Sequence, residues 1–350
     1  MPFNHDFFEA LLRAPGPSSF ESKPARVWQD HAQAAGLTTE RDTYGNTFAT
    51  ANPGGGPRLL LSGHIDEIGL LVTHVDEQGF AWFKGIGGWD PQQLVGQPVR
   101  IVHGSDETLG VIGRKPIHLM TPEDRKRVAR MEDMWIDVGA AGQEEALEVV
   151  GPGDIAVLER APILLKNHRI SSKAIDNRIG AYVALEAAKR SAGLDAEVIA
   201  SATVQEEIGG VGSAAASFGL NPDVAIAIDV THATDVPDVP TRQEGHHPLG
   251  SGPELSVGSY VHRGVFEALK TTADEEGIAF TVGTSPRRTA TDADFLAKTK
   301  AGVATAVVSI PNRYMHSGNE TIDTRDVEQA INLIVAFTRR LKNLTPFTQP

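Results

Sequence analysis

The sequence of 350 residues contains no cysteine, and this absence limits both its chemistry and its surroundings. Without thiols the chain forms no disulfides and no thiolate centres, so any metal ligands must come from His, Asp and Glu. The lack of cysteine fits the reducing cytoplasm. Long apolar runs are also missing, since none approaches the ~18 residues that a membrane-spanning helix needs. Residues 1–15 lack the basic stretch of a signal peptide, and we therefore expect a cytoplasmic protein outside the membrane.

An excess of positive charge is absent as well. The formal net charge of -13 argues against non-specific binding to nucleic acids or to anionic membrane surfaces. In other respects the composition is that of a globular protein, with 41% hydrophobic and 22% charged residues. The length is sufficient for one large domain or for two.

The predicted secondary structure changes character twice along the chain. In residues 1–71 and 166–350, buried apolar strands alternate with amphipathic helices, which predicts an α/β fold with a mostly parallel sheet flanked by helices. In residues 72–165, short runs of alternating apolar and polar residues are separated by Gly, Pro and charged residues. This pattern predicts a small β-barrel or sandwich inserted into the α/β domain. Only residues 121–130 look helical within this insertion. Further helices are predicted for residues 6–14, 23–35, 177–192, 210–218, 260–276, 293–300 and 324–344.

Acidic residues and histidines recur where the predicted α/β strands end. In LLLSGHID, for example, a His and an Asp come directly after a buried apolar run. Because ligands bind beyond the carboxyl ends of strands in open α/β sheets, such side chains are expected to meet at one rim of the sheet. One further Asp lies at a tight turn that opens a helix. The seven side chains are His64, Asp66, Asp176, Glu206, Glu207, Asp229 and His316.

Two histidines and several carboxylates without a thiol suit divalent zinc, cobalt or manganese. A pair of such ions needs one bridging carboxylate and two further ligands on each ion, while a free carboxylate can act as general base. Another carboxylate behind a metal-binding imidazole fixes its tautomer, and the two side chains of a His-x-Asp pattern point the same way on an extended chain. The segments offer this set, with His64, Asp176, Glu207, Asp229 and His316 as metal ligands, Glu206 as base and Asp66 as the residue that orients His64.

Each of these residues also has an ordinary structural explanation. The adjacent acids Glu206 and Glu207 would cap a helix at a strand–helix junction, and Asp176 would be a helix N-cap. Burial of so many carboxylates is unfavourable without cations to neutralise them, however. The joint pattern therefore favours a metal site over seven separate caps.

The chain contains five motifs, which are, in chain order, GHIDEIG, KAIDNRIG, QEEIGGVG, IDVTHATDVP and NRYMHSGNETI. Together they resemble the motifs of the tetrahedral metallo-aminopeptidases, also called the glutamyl aminopeptidase family, in the clan of di-zinc exopeptidases. The resemblance extends over essentially the whole chain. The long gap between Asp66 and Asp176 lies where this family inserts a β-rich dimerisation domain, and GGWDPQQLVGQPV within the gap also resembles the family.

The resemblance implies a two-metal aminopeptidase that hydrolyses the N-terminal peptide bond of short or unfolded peptides. It implies two divalent ions per chain, zinc first and cobalt or manganese as alternatives, with Asp176 as the bridging ligand. His64 and Asp229 would complete the shell of one ion, Glu207 and His316 that of the other, while Glu206 would activate the bridging water. It also implies a homo-oligomer in which residues 72–165 pair the subunits and dimers build a dodecameric shell.

Three alternative functions are compatible with parts of this pattern. A carboxypeptidase or N-acyl amino-acid deacylase of the same clan would share the ligand order, but such relatives carry their extra domain between the fourth and fifth ligands. A glycoside hydrolase would need paired carboxylates beside a sugar groove, and aromatic residues make up only 6% of the chain. A non-catalytic assembly protein has no reason to retain all seven positions.

Other segments leave their roles open. The loop around His246 and His247 is either a third metal site or, more simply, a solvated loop that lines the substrate entrance. Asp292 is either a neighbour of the site or the cap of a helix. Arg287 and Arg288 either meet a substrate carboxylate or belong to the surface.

Overall fold

The structure is a computed structural model that describes residues 3–341 and 347. The strands, in chain order, are β1 (Thr38–Arg41), β2 (Thr47–Ala51), β3 (Arg58–His64), β4 (Gly69–Val75), β5 (Ala81–Ile86), β6 (Pro98–His103), β7 (Asp106–Arg114), β8 (Met134–Asp137), β9 (Ile155–Leu158), β10 (Ile163–Leu165), β11 (Arg169–Ser172), β12 (Glu197–Thr203), β13 (Val224–His232), β14 (Glu254–Gly258), β15 (Thr281–Ser285), β16 (Ala304–Asn312) and β17 (Glu320–Asp323). The helices are α1 (His5–Arg13), α2 (Ser22–Ala34), α3 (Gln143–Leu147), α4 (Ile175–Arg190), α5 (Val211–Leu220), α6 (Thr241–Glu244), α7 (Arg263–Glu276), α8 (Ala293–Leu296) and α9 (Thr324–Arg340).

An eight-stranded sheet forms the centre of the α/β part, in the order β1-β2-β12-β3-β13-β16-β14-β15. The four strands β12, β3, β13 and β16 pair in parallel, and antiparallel pairs occur only towards the two edges. The parallel strands are apolar and buried along nearly their whole length because helices cover both faces of the sheet. The predicted α/β fold class is therefore confirmed.

Helix α4 packs directly on β3 and is buried along almost its whole length. The close approach needs glycine on both elements, since a Cβ added at Gly63 would lie 2.2 Å from the carbonyl carbon of Gly180. This contact brings Asp176, in the first turn of α4, to the end of β3, where His64 lies. Packing of one helix on one strand thus joins two residues that are far apart in sequence.

The insertion forms a closed barrel of six strands in the order β4-β5-β8-β7-β6-β9. It has a hydrophobic core of its own, to which Leu70, Val99, Ile101 and Ile136 contribute fully buried side chains. The prediction of a β-barrel or sandwich is confirmed. The predicted helix at residues 121–130 is wrong, because only a short 3-10 helix at Asp124–Lys126 forms there. This charged segment has no apolar face that would hold a helix against the barrel.

Several predicted elements differ from the structure in their bounds. Helix α7 begins at Arg263 rather than at residue 260, and α8 has only four residues where eight were expected. Helix α9 ends at Arg340, and residues 342–344 of its predicted extent lie outside the described part of the chain. Strand β14 and the small sheet β10-β11-β17 were not predicted. Among the described residues, none of the helices has the length and apolar character to cross a membrane.

Candidate metal centre

Six of the predicted site residues surround one cavity of about 630 Å³, near the carboxyl ends of the central strands. His64 ends β3, the two adjacent glutamates follow β12, and His316 lies four residues after β16. Asp229 differs from the prediction in that it lies inside β13, which continues to His232. Asp66 is fully buried behind the cavity. The six residues that line the cavity are His64, Asp176, Glu206, Glu207, Asp229 and His316.

Asp176 lies between the two histidines, and each of its carboxylate oxygens faces a different one. Oδ1 is 3.2 Å from Nε2 of His64, and Oδ2 is 3.4 Å from Nε2 of His316. Oε1 of Glu207 is also 3.4 Å from the same nitrogen of His316. Ligand atoms of His64, Asp176 and Glu207 all lie within 4.8 Å of one another. A carboxylate with this placement is oriented for bridging two neighbouring cations.

The ring of His316 is oriented by the barrel. Its Nδ1 is 2.7 Å from the backbone carbonyl of Gly88, so this nitrogen donates its hydrogen and Nε2 remains free to face the acids. A Cβ at Gly88 would lie 3.2 Å from the same nitrogen, which favours glycine here. The sequence analysis assigned no site residue to the insertion. The available signal was the segment GGWDPQQLVGQPV, which contains Gly88, but no role was assigned to that residue.

Asp66 holds the backbone of the glutamate pair. Its Oδ1 accepts a hydrogen bond from the N–H of Glu206, and its Oδ2 accepts from the N–H of Glu207, both at 3.2 Å. Oδ2 also accepts from the hydroxyl of Ser18 at 2.7 Å. The distance from Oδ1 to Nδ1 of His64 is 3.4 Å. Asp66 therefore joins the glutamate pair and His64 to the loop that carries Ser18.

Glu320 was not identified from the sequence. Its side chain is 2% exposed, and its two oxygens accept hydrogen bonds from the N–H groups of Asp176 and His316, each at 2.9 Å. One carboxylate thus fixes the main chain at two of the candidate ligands. The available signal was its place in the NRYMHSGNETI segment, four residues after His316.

The acidic neighbours of the two histidines raise the pKa of both imidazoles. Asp176 and then Glu207, which accept hydrogen bonds from the protonated imidazole, raise the pKa of His316 to about 11. Burial lowers the pKa of His64, but the neighbouring carboxylates of Asp176 and Asp66 outweigh this effect and leave that pKa well above the usual value. The same contacts lower the pKa of Asp176 although burial opposes them. Protonated imidazoles thus provide the positive charge that the carboxylates attract.

The remaining carboxylates are held in a crowded and desolvated environment. Burial raises the pKa of Asp229 well above its usual value and that of Glu206 to about 8, and it also raises the pKa of Glu207. Such groups gain free energy from a cation nearby, because buried negative charge is costly without one. The oxygen and nitrogen donors present match divalent zinc, cobalt or manganese. The residues therefore fit a site for divalent ions.

Asp292 lies under the site and is not a cap. Its side chain makes no capping hydrogen bond to α8, and its Oδ2 instead accepts from the hydroxyls of Ser62 at 2.7 Å and Thr203 at 2.6 Å. Both hydroxyls belong to strands that end at the cavity. Its negative charge contributes, after burial, to the raised pKa of Glu206.

The loop around the two adjacent histidines differs from the prediction. His247 is buried, with Nδ1 2.7 Å from the hydroxyl of Thr281 and Nε2 3.6 Å from Oε2 of Glu254. The expectation of a solvated loop is wrong for this residue, and neither His246 nor His247 lines the cavity. Within residues 3–341 and 347, the group of side chains placed to hold a metal ion is the one at the rim of the sheet.

Similarity to known proteins agrees with this geometry. A profile of the M42 glutamyl aminopeptidase family matches residues 45–333. The lysyl aminopeptidase of Pyrococcus furiosus is 35% identical over 341 residues, covering 96% of this chain and 97% of the relative. A TET aminopeptidase from a marine sediment Thaumarchaeota archaeon has a TM-score of 0.91 at 32% identity, with 96% of each chain covered. The Pyrococcus horikoshii TET1 peptidase has a TM-score of 0.83 at 31% identity, covering 95% of this chain and 98% of its own. The chain therefore belongs to the M42 glutamyl aminopeptidase family and is a metallo-aminopeptidase.

Proposed function

We propose that the protein removes the N-terminal residue of short or unfolded peptides at a site for two divalent ions. The observation that carries this proposal is the position of Asp176, whose two oxygens face the two histidines at 3.2 and 3.4 Å. The proposed ligands are His64 and Asp229 for one ion, Glu207 and His316 for the other, and Asp176 for both. Such ions, when bound, polarise a peptide carbonyl and lower the pKa of a water molecule.

Glu206 is the proposed general base. Its carboxylate lines the cavity, with Oε2 3.9 Å from Nε2 of His64, and its backbone N–H is held by Asp66. Burial raises its pKa to about 8, although the nearby charge of His64 opposes this shift. A carboxylate with a pKa near the working pH can take a proton from the attacking water and pass it to the leaving amine.

The exopeptidase character follows from the free α-amine of the substrate. A neutral amine nitrogen is a ligand that a divalent ion at the site would bind, whereas the nitrogen of an internal amide has no available lone pair. The N-terminal peptide bond would therefore be positioned at the ions in a way that an internal peptide bond is not. This explains why the proposed enzyme trims peptide ends and does not cut within chains.

A comparison of free and blocked substrates tests the proposal. The purified protein should release the first residue from peptides and aminoacyl-p-nitroanilides with a free amine, and it should leave the N-acetylated versions intact. Cleavage of the acetylated compounds would instead support a deacylase of the same clan, and release of C-terminal residues would support a carboxypeptidase.

For the assembly, we propose that the inserted β domain of residues 72–165 pairs subunits, with residues 1–71 and 166–350 forming the catalytic domain. Its surface exposes large apolar side chains, among them Leu109 at 60% and Leu119 at 67% exposure. Exposed apolar groups of this kind are typical of a surface that another chain covers. The related Pyrococcus horikoshii peptidase can assemble into a tetrahedron or a large octahedral shell. We propose that this chain forms a dodecamer built from dimers.

A further inference from the structure

The contact of the barrel with the site extends beyond the carbonyl that faces His316. Three consecutive residues, Gly87, Gly88 and Trp89, follow β5 and form a segment of the insertion that reaches the candidate ligands. A Cβ added at Gly87, whose φ is +75°, would lie 3.2 Å from Oε2 of Glu207. A Cβ at Gly88 would lie equally close to Nδ1 of His316, at 3.2 Å. Glycine at both positions therefore lets the main chain approach two candidate ligands closely.

The two ligands that this segment contacts are those proposed for the same ion. The proposed ligands of the other ion, His64 and Asp229, lie on β3 and β13, which pair directly in the central sheet. Glu207 and His316, in contrast, lie in the segments that follow β12 and β16. The central sheet holds the first pair of ligands, whereas the second pair also contacts the insertion.

Trp89 fixes the position of this segment. Its indole N–H donates a hydrogen bond to the backbone carbonyl of Gly69 at 2.8 Å, and its ring packs against the hydrophobic core of the barrel. The same side chain lines a small cavity together with Glu207. Gly69 begins β4, the first strand of the barrel. Because Trp89 directly follows Gly88, this anchor sets the direction of the carbonyl that accepts from His316.

We propose that Trp89 is a positioning residue for the ion that Glu207 and His316 bind, so that the insertion completes one half of the metal site. This role is separate from the subunit pairing proposed for the insertion, and it rests on the two-ion site proposed above. Groups that hold a metal ligand in place typically raise metal affinity by about 10- to 100-fold. The reason is that an imidazole already held in its bound orientation loses less freedom when the ion binds.

Loss of the indole N–H tests the anchor. Trp89→Phe keeps an aromatic ring against the barrel core and removes the donor to Gly69. The metal-free protein is titrated with Co²⁺, with a competing chelator to set the free concentration, and visible absorption reports each ion as it binds. The unaltered protein should bind two ions. Trp89→Phe should bind one ion with unchanged affinity and the other about 10- to 100-fold more weakly.

A second variant displaces the ligand and leaves the anchor in place. Gly88→Ala places a methyl group 3.2 Å from Nδ1 of His316, which is closer than ordinary van der Waals contact. The ring must then shift away from the carbonyl that orients it. Gly88→Ala should therefore weaken the binding of the same single ion. Since this variant keeps the hydrogen bond of Trp89, its result decides the question even if Trp89→Phe does not fold.

Two matched variants control for general effects on the barrel. Trp82 is half-buried like Trp89, but its indole N–H donates to Oδ2 of Asp76 at 2.9 Å, and it lines neither the small cavity nor the large one. A Cβ at Gly151 would lie 3.9 Å from Oδ2 of Asp154, an ordinary contact distance. Trp82→Phe and Gly151→Ala should bind both Co²⁺ ions as the unaltered protein does. Urea unfolding of the metal-free variants compares their stabilities.

The pattern of ion loss separates a positioning role from a merely structural one. Selective weakening of one ion in Trp89→Phe and Gly88→Ala, at a stability equal to that of the controls, supports the proposal. Unchanged affinity for both ions would overturn it. Equal weakening of both ions would overturn it as well, because general damage to the barrel accounts for that result. If the unaltered protein bound fewer than two ions, the two-ion site itself would be contradicted, and this inference with it.

Discussion

The buried carboxylate of Glu320 accepts a hydrogen bond from the backbone N–H of Asp176, with 2.9 Å between the nitrogen and Oε2. The other oxygen accepts from the N–H of His316 at the same distance. Since each oxygen serves one donor, the carboxylate ties the start of α4 to the loop between β16 and β17. Two candidate ligands that are 140 positions apart in sequence are thereby held at a set separation.

Glu320→Gln is expected to lower the affinity for divalent ions by about 10- to 100-fold, as for the loss of other groups that position metal ligands. In the glutamine variant an NH2 group replaces one of the two carboxylate oxygens. This donor then faces a backbone N–H group, which is also a donor. Chelator competition measures this affinity, and at saturating metal the KM for the peptide should stay close to that of the unaltered protein. Asp326→Asn is a matched control, because Asp326 is buried and accepts from the N–H groups of Gly250 and Gly252 at 2.7 Å, outside the cavity. Equal metal affinity of both variants would contradict the role assigned to Glu320.

Glu206→Gln and Asp176→Asn should separate proton transfer from metal binding. The first should retain the metal ions and lower kcat by about 10²- to 10⁴-fold, the range for loss of a general base. The second should lose metal as well as activity, since it removes the carboxylate that faces both histidines. Elemental analysis and steady-state kinetics on both variants give the comparison. If Glu206→Gln turned over at nearly the original rate, another group would have to be the base.

Removal of metal should abolish hydrolysis. The proposed ligand set predicts about two divalent ions per chain, with activity lost on chelation and restored by zinc or cobalt. Elemental analysis before and after dialysis against a chelator measures the ion count alongside the rate. An enzyme that stays fully active with no metal left would contradict the proposed mechanism.

The stability of the fold should fall as the pH rises from about 4 to 7, in part because of Asp326. Burial raises the pKa of this carboxyl to about 7, above its usual 3.8. Between these values the folded chain keeps a proton that the unfolded chain has released, so this stabilising contribution is complete below pH 3.8 and lost through pH 7. Urea unfolding at pH 5 and pH 7.5 measures the difference. Asp326→Asn should show a smaller drop, and an identical drop would contradict the assignment.

Light scattering should show a discrete assembly far larger than the chain mass of 37.4 kDa. Leu119→Glu, which places charge on the exposed apolar surface of the barrel segment, should reduce the size of this assembly. Phe218 is exposed to a similar extent, at 63%, but lies on α5 in the α/β part. Phe218→Glu should therefore leave the assembly intact. A fully active monomer would contradict the proposed shell.

Much of the fold was predictable from the sequence because its signals are local. Strands such as β3 and β13 appear in the sequence as unbroken apolar runs because both of their faces are buried. In the barrel strands apolar and polar residues alternate, because only one face is buried. The predicted helix at residues 121–130 failed because propensity and a cap do not hold a helix that has nothing to pack against.

The sequence by itself determined which residue types could hold metal and near which strand ends they lie, because strand ends are visible in the hydrophobic pattern. Only the tertiary structure decided how these residues are held and what surrounds them. In the structure, Glu320 accepts hydrogen bonds from the N–H groups of Asp176 and His316. The carbonyl of Gly88 contacts the ring of His316. Arg288 lines the cavity, whereas Arg287 does not. These contacts join segments far apart in the chain, or depend on the direction of one side chain in a turn. Packing fixes both, and no local pattern records them.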